Sequence, residues 1–116
     1  LDPEVQRLEQ RKAAAGQARH LFQMILCEFG LSKKALMPKA LLVDKLVATH
    51  PGRADREEIL LQMELLVEWL PQYLSLQRSI NGTPLFRCSQ GIDTQAAYTT
   101  IRTEAARLQA QQMDVE

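Results

Sequence analysis

The sequence predicts a mainly α-helical domain carrying one small β-hairpin, and three observations predict it. Runs of helix formers are punctuated by Pro and Gly, the stretch Tyr73 to Arg78 switches to apolar and polar alternation, and Asn81-Gly82 follows as a turn pair. A length of 116 residues fits one domain over 1–116, with 46% apolar and 24% charged residues supporting one compact core rather than a disordered chain.

The elements follow in order. Asp2 and Pro3 suit a helix start, the first as a cap and the second in the first turn, where its missing N–H is no loss. A helix is expected from Glu4 to Phe29, stopped by Gly30 and weakened at Gly16. Leu8, Ala15, Phe22 and Phe29 repeat at heptad spacing with Ala18 and Ile25 beside them, so one stripe can run its whole length. Residues 4–19 are polar and residues 21–29 oily. The expectation is therefore that 1–20 project and that 21–113 form the core.

A second helix is expected from Met37-Pro38 to Pro51-Gly52, with Leu41, Leu42, Lys45 and Leu46 on its buried face. The third, from about Ala54 to Trp69 with Asp55 near its start, is apolar nearly all round. Its polar remainder is Glu57, Glu58, Gln62, Glu64 and Glu68, and Pro71 ends it. Tyr73 to Arg78 then alternates as a half-buried strand, Asn81-Gly82 suits a type I′ turn, and Leu85 to Cys88 returns. Asp93 caps a last helix from Thr94 to about Gln112, with Ala97, Ile101, Ala105 and Leu108 inward.

Three helices, a hairpin and a further helix make the layout of a winged-helix domain with an N-terminal lead-in helix and a C-terminal helix. The competing arrangement is a three-helix bundle with an incidental hairpin.

Chemistry is sparse along this chain. Cys27 and Cys88 form no C-x-x-C and read as two buried free thiols, whose apolar contexts raise a thiol pKa. His20 and His50 read as surface histidines, so neither a metal site nor a cofactor is expected, and no enzyme is. The five glycines are scattered rather than gathered into a phosphate loop. No stretch reaches the roughly 18 apolar residues of a membrane span. The start at Leu1 suggests a piece of a longer chain, and no signal peptide opens it.

Nucleic acid is disfavoured as the main partner. Fourteen Lys and Arg balance fourteen Asp and Glu, whereas a domain that grips phosphates usually carries a basic excess. The third helix, which reads bases in DNA-binding relatives of this layout, has four glutamates and no basic residue between Arg56 and Arg78. Arg78 and Arg87 on the hairpin keep a DNA-binding winged helix as the alternative, and the apolar third helix leaves a homodimerisation module as a weaker third reading. The lead-in helix is the better candidate: Arg7, Arg11, Lys12 and Arg19 with Leu8 and Val5 form a basic, partly apolar segment suited to a partner groove or an acidic surface, and equally, on spacing alone, to keeping the helix soluble.

The run Glu64-Leu65-Leu66-Val67-Glu68-Trp69-Leu70-Pro71-Gln72-Tyr73-Leu74-Ser75-Leu76-Gln77-Arg78 resembles the helix-to-strand junction in the C-terminal domain of the DNA replication licensing factor, the double-parked family. Arg7-Leu8-Glu9-Gln10 is similar to that family's arginine- and leucine-rich lead-in helix, and Lys33-Lys34-Ala35-Leu36 resembles its basic loop. At Ala13 to Gly16 the chain departs from the family's more leucine-rich stretch. The resemblance implies a winged-helix adaptor that binds the minichromosome-maintenance helicase through the C-terminal part of its sixth subunit; a nuclear monomer with DNA contact weak or absent is expected. By position it implies Leu8, Arg11 and Lys12 as leading contacts, with Arg7 and Arg19 behind them.

Overall fold

A computed structural model describes residues 2–111. The elements are α1 (Pro3–Ser32), β1 (Leu36–Pro38), α2 (Lys39–Thr49), α3 (Arg56–Trp69), β2 (Leu74–Arg78), β3 (Pro84–Cys88) and α4 (Thr94–Gln109). The fold is mainly helical with a small antiparallel sheet, the winged-helix class.

The expected caps are in place. Asp2, Asp55 and Asp93 accept from the backbone N–H groups of Glu4, Glu58 and Ala96 at 2.9, 2.8 and 3.0 Å. Each satisfies one of the donors that a helix start leaves unpaired. α1 runs past Gly30 and ends at Lys33, which takes a left-handed φ of 57° and donates its N–H to the Phe29 carbonyl. The expected stop at Gly30 is thus corrected: neither Gly16 nor Gly30 breaks the helix.

Met37-Pro38 does not open a helix. A residue before proline is pushed towards extended backbone, and Pro38 itself has ψ 131°. Both join β1, so α2 starts at Lys39. β1 lies on the free side of β3, pairing Leu36 with Arg87, Met37 with Phe86 and Pro38 with Leu85. The sheet order is β1-β3-β2, with Leu76 opposite Phe86 on the other side. Proline is tolerated on such an edge.

The turn between β2 and β3 also differs from a type I′ pair, which needs positive φ at both central residues. Only Gly82 has positive φ there, at 85°. The Gly82 N–H donates to the Ser79 carbonyl and the Ser79 N–H to the Thr83 carbonyl, closing a longer loop over 79–83.

The main core gathers Leu21, Phe22, Ile25 and Phe29 of α1 with Leu42, Leu46, Ile59, Met63, Leu66 and the sheet's Phe86. Val43 is buried on α2, where Leu41 instead faces out. A second cluster, Ala14, Ala15, Leu65 and Leu108 with Leu8, Leu61 and Trp69 packed on it, joins α1 to α3 and α4. The polar half of α1 therefore does not simply project: its alanines let the neighbouring helices approach closely. Cys27 is exposed and only Cys88 is buried, correcting the expectation of two buried thiols. At about 100° per residue, Cys27 falls on the side of α1 opposite Phe22 and Phe29. Gln62, expected among the polar residues of α3, is 1% exposed.

Candidate protein-interaction surface

α1 is 30 residues long, about 45 Å at the usual helical rise, which accounts for most of the 50 Å long axis. The five residues singled out from sequence all lie on it, but they do not form one free stripe. Arg7 is exposed, and no ion pair among the described residues involves it. Leu8 is half-buried against the second cluster.

Arg11 reaches across to α3, donating from Nη2 to Glu68 Oε2 at 3.1 Å. Its side chain is only 22% exposed, against 56% for Glu68. Lys12 Nζ donates to the Gln111 carbonyl beyond the end of α4. In return, Gln109 Nε2 donates to the Lys12 carbonyl at 2.7 Å. Arg19 lies over the Tyr98 ring of α4, 5.0 Å from its centroid, and Tyr98 in turn meets Phe22 edge-on at 5.6 Å. A guanidinium over an aromatic face is attracted by the ring quadrupole.

The cations thus divide. Arg11 and Lys12 tie α1 to α3 and α4, while Arg7 and Arg19 remain exposed. Sequence reasoning missed the partners Glu68, Tyr98 and Gln109. They lie 57, 79 and 97 residues from the side chains or carbonyls they meet, too far for any local pattern to signal.

The outer surface of α3 is acidic, with Glu57, Glu58, Glu64 and Glu68 exposed. Arg56, at the helix start, is paired with Asp44 at 2.6 Å. On the hairpin, Arg78 donates to the Gly82 carbonyl at 3.0 Å. Burial pushes the Cys88 thiol up to about 11. Among the described residues no helix is long and apolar enough to cross a membrane, and no group of three or more His, Cys, Asp or Glu is placed to hold a metal ion.

A comparison with curated proteins found no match. The family model of the DNA replication factor Cdt1 C-terminal domain matches residues 2–79. That span runs from the cap of α1 through all of β2, well over half of the 116 residues. It includes the Leu70-Pro71 junction and the basic lead-in segment. The chain therefore belongs to the DNA replication factor Cdt1 C-terminal domain family, and it is a domain of a DNA replication licensing factor.

Proposed function

We propose that this domain is a non-catalytic, protein-binding adaptor of replication licensing. It docks on the minichromosome-maintenance helicase, through the C-terminal part of that helicase's sixth subunit, to help load it at origins in the nucleus. It acts as a monomer and needs no cofactor.

The observation that carries this reading is the exposed basic surface of α1. Arg7 and Arg19 are exposed, Arg19 over the Tyr98 ring, on a long helix whose middle is fixed to α3 and α4. Fixing a helix before its partner arrives lowers the ordering cost of binding. Cations on a rigid element also steer an acidic partner at long range. Membership of a replication licensing family supports the choice of partner. DNA is the weaker candidate, because four exposed glutamates on α3 oppose the phosphate backbone.

The test is a titration against the isolated C-terminal domain of the sixth helicase subunit. Arg7→Glu and Arg19→Glu are expected to weaken binding about tenfold or more, with the helical signal intact. Arg7→Glu alone disturbs no ion pair among the described residues, whereas Arg11, Lys12 and Arg19 each make a contact within the domain. Unchanged binding by the double variant would remove α1 as the docking surface.

A further inference from the structure

A groove of about 700 Å³ runs between α1 and the first two turns of α3, on the flank of α1 away from Lys12 and Arg19. At about 100° per residue, Ala13 and Gln17 lie roughly 100–160° from those two cations. Small residues hold the groove open, Ala13 and Ala14 on one wall and Gly52 and Ala54 on the other. His50 forms part of its rim and is held from two sides. Its Nδ1 accepts from the Gly52 N–H at 3.0 Å, and its ring meets that of His20 edge-on at 5.5 Å.

The charge around this groove has one sign. Asp55, Glu57 and Glu58 line it, and no Lys or Arg does. Asp55 is occupied as the cap of α3. Glu57 and Glu58 are exposed, and neither takes part in an ion pair among the described residues. Carboxylates in a first helical turn offset the helix dipole, which accounts for their presence.

It does not account for Gln62. This side chain lines the same groove, is 1% exposed, and its Oε1 has no hydrogen-bond partner among the described residues. Buried polar atoms are almost always paired, and an unpaired one calls for an explanation.

We infer that this groove is a docking site for an arginine side chain carried by an extended segment of a partner protein. A guanidinium offers donors only, which is what the Gln62 oxygen and the Glu57 and Glu58 carboxylates can receive. Its planar fork serves an amide oxygen at depth and a carboxylate at the rim together, whereas an ammonium is a compact point charge. The acidic lining repels anions. No cation of α1 lines this groove and its test uses no helicase, so its failure and that of the proposed helicase docking are read separately.

The experiment is an NMR titration of the ¹⁵N-labelled domain with the capped tripeptide acetyl-Ala-Arg-Ala-amide, alongside the same peptide with lysine or glutamate at its centre. The arginine peptide is expected to shift the Gln62 side-chain amide and the backbone signals of Ala13, Gly52 and Leu61. Gln62→Leu, which removes the unpaired amide without emptying the site, is expected to melt no lower than the parent and to weaken the response about fivefold or more. The exposed pair Glu57→Gln and Glu58→Gln does the same without touching the core. Absent shifts, an equal response to the lysine or glutamate peptide, or undiminished binding by both variants overturns the proposal.

Discussion

Leu65→Ala tests the second cluster, which anchors the basic half of α1. Leu65 is fully buried on α3 and shares its surroundings with Ala14 and Ala15 of α1 and Leu108 of α4. The change removes three carbon atoms from the interior. At about 0.8 kcal/mol per buried methylene the transfer loss is roughly 2.4 kcal/mol. The cavity left among three helices raises the total to about 3–4 kcal/mol. For a domain of this size the melting temperature then falls by roughly 10–15 °C.

The assay is a urea melt joined to native-state hydrogen exchange. The unfolding free energy should drop by that amount. Amide protection over residues 8–15 and 105–108 should fall more than over residues 21–29, which belong to the main core. A loss under about 1 kcal/mol, or a uniform fall in protection, would refute the reasoning. The first would mean that the site collapses without cost, and the second that α1 has no separately anchored half.

Asp93→Ala removes the side-chain acceptor for the Ala96 N–H, and about 1 kcal/mol of stability should go with it in a chemical melt. Lys33→Gly relieves a left-handed φ of 57° at the end of α1 and should raise stability by up to about 1 kcal/mol, since only glycine adopts that conformation without strain. A chromogenic thiol reagent should modify Cys27 rapidly and Cys88 only on unfolding, because Cys27 is exposed and Cys88 buried. The Cys88 thiol lies near 11 in the folded chain against 9.0 as its ordinary value. The unfolded state therefore releases its proton first, and stability should fall as pH rises from about 9 to 11, an effect that Cys88→Ala should remove. Arg11→Met should cost under about 1 kcal/mol in a melt despite its 3.1 Å bond, because Glu68 is largely solvated.

Much of the architecture was legible because its signals are local. Asp55 and Asp93 announce helix starts through short side chains that reach the backbone three residues on. The Leu8 to Phe29 heptads and the Ala97, Ile101 and Leu108 face carry the helical period directly. β1 was hidden because three residues hold too little alternation to register, and its strand character comes from β3, 49 residues on from Met37. Gly30 misled because a helix stop depends on the residue that finally takes left-handed backbone, here Lys33. Cys27 misled because an oily run on a helix still has an outward side. At the candidate surface, the cations of α1 could be named from sequence, but which of them make contacts within the domain could not. That division depends on Glu68, Tyr98 and the end of α4, which only the tertiary fold brings near.

The position of β3 in the middle of the sheet bears on how the chain acquires its shape. β1 and β2 touch β3 and not each other, and β3 begins at Pro84, past the end of the family match at residue 79. A fragment ending there would hold two strands with no shared neighbour, each presenting a row of unpaired backbone groups to other molecules. Met37 and Leu74 would also lose Phe86 and Cys88, the residues opposite them in the ladder. On a ribosome, the first three helices emerge before the strand that closes the sheet, so final packing waits for the last third of the chain. Fragments of this domain for biochemical work should therefore reach at least to Gln109, where α4 ends.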